Sequence, residues 1–321
     1  MPTDANLAEQ IERKRVLITG VNGLLGQKLS IAFTPNRYEL FGIDLAPKKT
    51  LEILPLQYHQ LDLTERKETV ELIKEINPDV IVHTAALTDV DGCERKKEYC
   101  WKINVDATNN VIDGGKPSKA HIIFISSDYI FDGSAGPYSE TDQPNPLSYY
   151  GKTKLASENI LRGQSDPWTI IRTIVLYGFG AKLRASFITW LLKELRAGNP
   201  VRIVDDQWGN MALADDLANA IERCVNLNKT GIYNVGSSDF MSRYEFAQKT
   251  AEIFELDASL ITPIKTSDLK QLAERPLKSG LTIEKVQREL YITPHDTRED
   301  LKIYRDQETL YINAQIDRSP E

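Results

Sequence analysis

The chain holds only three cysteines in 321 residues, and Cys93, Cys100 and Cys224 match no metal-ligand spacing. Their odd number suits a reducing compartment, and a cytoplasmic protein is expected. Cys93 and Cys100 stand seven apart on an expected helix, which favours two buried thiols over a bridge. No apolar stretch approaches the ~20 residues that a membrane helix needs, so no membrane partner is expected. Residues 1–14, MPTDANLAEQIERK, lack the apolar centre of a secretory signal. No run of basic residues forms a binding stripe, and a net charge of -7 argues against nucleic acid as a partner. Internal repeats and low-complexity segments are missing too. What remains is an acidic chain long enough for one large domain or two modest ones.

The most informative segment is RVLITGVNGLLG at 15–26. The apolar run Val16-Leu17-Ile18 feeds a turn with glycines at Gly20, Gly23 and Gly26. A helical pattern follows, with Leu24, Leu25 and Leu29 on one face. A backbone bent this sharply between strand and helix needs residues without Cβ. It also brings bare N–H groups, at Asn22 and along the first helical turn, to the positive end of the helix dipole. Strand, turn and helix in that order are the context of a dinucleotide site. Asp44 ends the next strand, eighteen residues past Gly26, where a carboxylate accepts the hydroxyls of an adenosine ribose. The cofactor is therefore NAD or NADP, with NAD favoured because Asp44 repels a 2′-phosphate. Lys48 and Lys49 are the opposing signal, though a solvated loop accounts for them as well.

Further along, apolar strands alternate with helices. Strands are expected near Leu56–Leu61, Val80–Val82, His121–Ile125 and Trp168–Val175. Helices are expected at 65–76 (Val70, Ile73 and Ile76 inward), 91–112 and 147–161. This pattern points to an α/β fold, a Rossmann-type doubly wound parallel sheet covered on both faces. The strand 232–235 is expected to rejoin that sheet. A dinucleotide-binding domain is expected at 11–177 plus about 201–236. A smaller C-terminal substrate-binding lobe takes about 178–200 and 237–310, and 1–10 and 311–321 are tails.

Two stretches carry chemistry: Ser126-Ser127-Asp128-Tyr129-Ile130-Phe131-Asp132-Gly133 at a strand end, and Tyr150-Gly151-Lys152-Thr153-Lys154 opening a helix. A ketone that accepts hydride needs a proton at its oxygen. Tyr150 is suited to give it if Lys154, at i+4 on the same helical face, lowers its pKa. Ser127 can hold the carbonyl oxygen from the other side. Of the 13 tyrosines only Tyr150 has a lysine four residues on.

These segments, together with VDGCE at 90–94, DDQWGN at 205–210, DDLANAI at 215–221 and the pair Arg275-Pro276, resemble the extended short-chain dehydrogenase/reductases. Within them the chain resembles the dTDP-4-dehydrorhamnose reductase subfamily, from Arg15 to about Arg305. The resemblance implies NAD(P)H-dependent reduction of the 4-keto group of a nucleotide-linked 6-deoxysugar, foremost dTDP-4-dehydro-L-rhamnose to dTDP-L-rhamnose, by a monomer or homodimer. It implies Tyr150 as proton donor, Lys154 on the nicotinamide ribose, and Ser127 at the carbonyl. It sets Asp62 and Leu63 beside the adenine, and His83, Thr84, Ala85 and Ala86 along the pyrophosphate and ribose. Asn104 matches an asparagine that steadies the active-site backbone. Read without the resemblance, Asp62 serves equally as a helix cap, and His83 is structural rather than catalytic. Tyr129 stands where related 4,6-dehydratases carry a glutamate, which disfavours dehydration. Met211-Ala212 departs from the subfamily pattern in a segment expected near the sugar. Two rivals stay open. The regulatory subunit of methionine adenosyltransferase has similar SSDY and YGKTK segments and does not catalyse reduction. An epimerase or reductase of another nucleotide sugar is the other.

Overall fold

The computed structural model describes residues 13–52, 54–164 and 167–316; the expected tail at 1–10 lies outside them. The first strand, β1 (Lys14–Thr19), shows why its apolar run is unbroken. Val16 and Ile18 pack to one side of the sheet and Leu17 to the other, all fully buried. Alternating side chains meet a core on both faces.

From β1 the chain passes through α1 (Leu24–Ala32), β2 (Tyr38–Asp44), β3 (Leu56–Gln60), α2 (Arg66–Ile76) and β4 (Val80–His83). The helices α3 (Val90–Arg95), α4 (Lys97–Trp101) and α5 (Ala107–Gly115) follow, then β5 (His121–Ser127), α6 (Tyr149–Arg162) and β6 (Trp168–Thr173). Next come β7 (Leu176–Tyr177), α7 (Phe187–Arg196), β8 (Val201–Val204), β9 (Trp208–Gly209), β10 (Ala212–Leu213), α8 (Ala214–Asn226) and β11 (Gly231–Val235). The chain closes with β12 (Met241–Ser242), α9 (Arg243–Ile253), β13 (Ile261–Ile264), α10 (Glu284–Leu290) and α11 (Thr297–Ile316).

Seven strands form one parallel sheet in the order β11-β6-β5-β4-β1-β2-β3. This is the expected doubly wound Rossmann-type fold, with 232–235 back in the main sheet. Helices α1, α8 and α10 cover one face, and α2, α5 and α6 the other. The order reverses between β1 and β4, so a crevice opens at their carboxyl ends. A separate apolar core joins α7, α9 and α11 beside the paired β8 and β13.

Four local expectations are corrected. The helix expected over 91–112 is broken at Lys96 (φ -131, ψ 65), and a π-helical turn at Lys102–Asp106 interrupts it again. On a straight helix, residues seven apart would be ~10 Å apart. The break brings the Cys93 and Cys100 Cα atoms to 5.1 Å, and the two form a disulfide instead of the expected buried thiols; Cys224 is a buried free thiol. On α2, Thr69 rather than Val70 joins Ile73 and Ile76 inward. Residues 311–316, expected as tail, continue α11. No helix among the described residues is long and apolar enough to cross a membrane.

Candidate active site

The glycine turn lies at the crevice, and its three glycines do different work. Gly20 has φ +69, and a Cβ there would come within 3.0 Å of the Ala85 backbone and 3.1 Å of Thr84 Oγ1. A Cβ on Gly26 would strike the Gly20 carbonyl and the Val21 backbone, so this residue lets α1 start close to the turn. Gly23 is freer, since its Cβ would meet only the Gly20 oxygen, at 3.2 Å. No side chain caps α1, which leaves the orphan donors of its first turn, at Leu24, Leu25 and Gly26, without intrahelical partners. These residues fit a pyrophosphate: an uncapped helix start beside a bare glycine.

The remaining expected dinucleotide residues lie at or just after the carboxyl ends of β2, β3 and β4. Asp44, at the end of β2, accepts the Asn22 N–H at 3.0 Å and the Ala46 N–H at 3.2 Å. The Asn22 side chain ties the turn to the next loop through Lys48 O, Tyr58 Oη and the Thr50 N–H. Lys49 is held by the Leu54 carbonyl at 2.7 Å, while Lys48 is exposed. Thr84 donates to Thr19 O at 2.7 Å, and Ala85 and Ala86 line the crevice half-buried. Asp62 is exposed and accepts the Thr64 N–H at 2.9 Å, a cap-like turn ahead of α2. Leu63 is buried, with its carbonyl held by Asn110 at 2.9 Å. His83 is buried between Thr19 and Thr108, and burial depresses its pKa to about 3. A neutral, doubly hydrogen-bonded ring is structural, as expected.

The second half of the site is built by β5 and α6. Ser127 ends β5; its oxygen accepts the Tyr129 N–H at 3.2 Å, and its proton goes to Asp128 Oδ1 at 2.9 Å. Ser148 caps α6 through the Gly151 N–H at 3.2 Å, and Glu94 takes the Tyr149 N–H at 2.6 Å. Tyr150 therefore sits in the first turn of α6, 9% exposed, with its ring edge-on to Tyr129 at 5.8 Å. Burial pushes its pKa up, the Asp128 charge adds to this, and the Ser127 hydroxyl beside it pulls back.

The expectation that Lys154 lowers the Tyr150 pKa is corrected here. Lys154 is 4% exposed, its ammonium lies 4.2 Å over the Phe124 ring, and desolvation takes its pKa down to about 7 against the pull of Glu158. Burial and the Asp128 charge thus favour the protonated phenol of Tyr150. Asn104, in the π-helical turn, accepts the Leu87 N–H at 2.7 Å and donates to Leu87 O at 3.1 Å and Thr153 Oγ1 at 3.0 Å. It pins the loop after β4 to α6.

Three supporting residues escaped the sequence reading. Asp128 is 2% exposed and also accepts Ser279 Oγ at 2.6 Å; burial raises its pKa to about 6. It follows Ser127 directly, but Ser279 lies 151 residues on, and nothing local marks that partner. Glu158 and Arg172 form a fully buried bidentate pair, at 3.0 and 2.9 Å. Their signal was available: Glu158 is four residues past Lys154, and a charge inside the apolar strand β6 demands a partner. The departure at Met211-Ala212 turns out to be core, with both residues 3% exposed or less. Arg275 pairs with Asp91 at 3.1 Å, joining two of the motifs.

A family model described as the RmlD substrate binding domain matches residues 14–309. A probable low-salt glycan biosynthesis reductase of Haloferax volcanii is 30% identical over 88% of this chain and 95% of that protein. Methionine adenosyltransferase 2 subunit beta of Bos taurus is 31% identical over 89% of this chain and 86% of that protein. Among solved structures, dTDP-4-dehydrorhamnose reductase from Bacillus anthracis strain Ames, crystallised in complex with NADP, has TM-score 0.82 at 26% identity. That likeness covers 92% of this chain and 99% of the other.

Proposed function

We propose, for a chain that belongs to the RmlD substrate binding domain family, an NAD(P)H-dependent reductase of a nucleotide-linked 4-keto-6-deoxysugar. The dTDP-linked substrate dTDP-4-dehydro-L-rhamnose is our first choice. The observation that carries this reading is the buried Tyr150 beside Ser127, in the fold whose crevice also holds an uncapped helix start. When bound, a reduced nicotinamide supplies the hydride. Tyr150 gives its proton to the carbonyl oxygen, and Ser127 turns its O–H from Asp128 to the same oxygen. Lys154, four residues on, holds the nicotinamide ribose. Arg243 and Arg275 both act electrostatically on Tyr129, which recommends that side for the substrate's diphosphate. The test is a panel of dTDP-, GDP- and UDP-linked 4-ketosugars with NADH and NADPH, followed by loss of nicotinamide absorbance. Turnover of a GDP- or UDP-linked sugar alone would reassign the substrate.

Two predictions concern the dinucleotide. Gly23→Val sets a Cβ 3.2 Å from the Gly20 carbonyl oxygen, a tight contact that should lower Tm modestly without unfolding the chain. Affinity for NAD(P)H by calorimetry should fall at least ~10-fold, about 1.4 kcal/mol, as the new methyls meet the pyrophosphate. Unchanged affinity would remove the turn from the site. Asp44→Asn keeps one acceptor for the turn but removes the charge. The ratio of NADPH to NADH affinity should then rise about 10-fold, and an unaltered ratio would take Asp44 off the ribose.

A second reading rests on the likeness to the methionine adenosyltransferase beta subunit, as high as that to the named reductase. In it the same crevice binds a dinucleotide without turnover, and the protein regulates a synthetase. No reduction across the panel, with a synthetase co-purifying, would favour it.

A further inference from the structure

Away from the crevice, three ligand-bearing side chains meet where α8, α11 and the loop before α11 converge. Asp216 lies in the first turn of α8 and Asp300 in the first turn of α11; they are 7% and 0% exposed. His295, in the loop between α10 and α11, keeps 41% of its side chain in solvent. Its Nδ1 is 2.9 Å from Asp216 Oδ1 and 3.6 Å from Asp300 Oδ1, and one donor atom from each residue falls within 4.8 Å of the others.

Asp300 is the telling member. Its Oδ2 accepts the Tyr177 hydroxyl at 3.0 Å, but Oδ1 is buried with no hydrogen-bond partner and is directed at the cluster. A buried carboxylate oxygen without a partner is costly. No lysine or arginine pairs with Asp216 or Asp300 among the described residues. The nearby cations Lys28 and Lys249 are held at 3.0 Å by Asp215 and Asp239. A cation bonded at ~2.1 Å keeps neighbouring ligands ~3.0–3.4 Å apart; the 2.9 Å His295–Asp216 hydrogen bond, which the cation would replace, and the 3.6 Å separation bracket that range.

We propose that Asp216, His295 and Asp300 bind one divalent transition-metal cation, Zn²⁺ foremost, that fastens α11 and the preceding loop to α8. One imidazole with two carboxylates suits zinc or manganese better than magnesium or calcium. The half-exposed face of His295 is the way in, and water completes the coordination. The role is structural, since the cation joins the sheet's covering helix α8 to the C-terminal core around α11.

The experiment uses the full, untagged chain stripped with EDTA and titrated with Zn²⁺, Mn²⁺ and Mg²⁺ separately. Calorimetry should give one Zn²⁺ per chain, and saturation should raise Tm on the order of 5 °C. His295→Gln and Asp300→Asn should each weaken Zn²⁺ at least ~10-fold and abolish the Tm rise. Co²⁺ bound to the wild-type chain should show visible absorption from mixed nitrogen and oxygen ligation, a readout independent of how well the variants fold. Absence of stoichiometric Zn²⁺ binding would overturn the site, as would binding unchanged in both variants or a Co²⁺ spectrum without nitrogen ligation. The cluster would then be a hydrogen-bonded ion pair that ties the same elements together.

Discussion

Tyr150→Phe should lower kcat by ~10²–10⁴-fold, the usual worth of a positioned proton donor. Only one oxygen is removed, and the ring keeps its edge contact with Tyr129 and its place against the buried Cys93–Cys100 bridge. The fold and the dinucleotide affinity should therefore stay near wild type. The pH profile separates the groups. Tyr150 stays protonated through neutral pH because burial raises its pKa. The basic limb in the wild type should instead follow Lys154, whose pKa burial lowers to about 7, with activity declining as that ammonium loses its proton. Normal turnover by Tyr150→Phe, measured on any sugar that the wild type reduces, would refute the assignment of the proton donor.

Glu158→Gln should be the most damaging single change to stability. Glu158 is 0% exposed and Arg172 1%, so neutralising the acid leaves a buried guanidinium without its counter-charge. Breaking one partner of such a pair costs about 3–5 kcal/mol, which for a chain of this size lowers Tm by ~10 °C. Arg162 cannot substitute for the lost acid, and at 34% exposure it turns to solvent. The double variant Glu158→Gln with Arg172→Met removes both charges and should recover much of the loss, giving a large coupling in a double-mutant cycle. The arginine pair holds the Glu158 pKa below its ordinary value against burial. A lowered acid pKa stabilises the fold above the unfolded value and loses that contribution as pH falls through the folded one. The gap between wild type and Glu158→Gln should accordingly narrow in acid. Equal melting at neutral pH would mean that the pair does not hold α6 to β6.

The Lys154 environment ties these two results together. Glu158 raises the Lys154 pKa while burial lowers it more, so Glu158→Gln should also move the basic limb of any remaining activity to lower pH. A stability loss without that move would separate the ion pair from the site.

Much of the candidate site's local geometry was legible in the sequence. The bends at Gly20 and Gly26 follow from sterics within a few residues, and Tyr150 and Lys154 share a face through helical spacing alone. An unbroken apolar run at Val16-Leu17-Ile18 could only be a strand buried on both faces, and the parallel sheet followed from its alternation with helices. Other expectations failed where local reading has no reach. Lys96 breaks a helix that periodicity carries straight through, and this alone turned two expected thiols into a bridge.

What the sequence by itself determined is the doubly wound sheet, the glycine turn and the spacing of Tyr150 and Lys154, because backbone sterics and helical period act over a few residues. What only the tertiary structure decided is the ionisation of the site and its supports. Desolvation of Tyr150 and Lys154 depends on everything packed around them. The contacts of Asp128 with Ser279, Glu158 with Arg172, and His295 with Asp216 and Asp300 join residues from separate elements. A buried charge takes its partner from whatever the fold brings within a few ångströms, and sequence spacing carries no record of that.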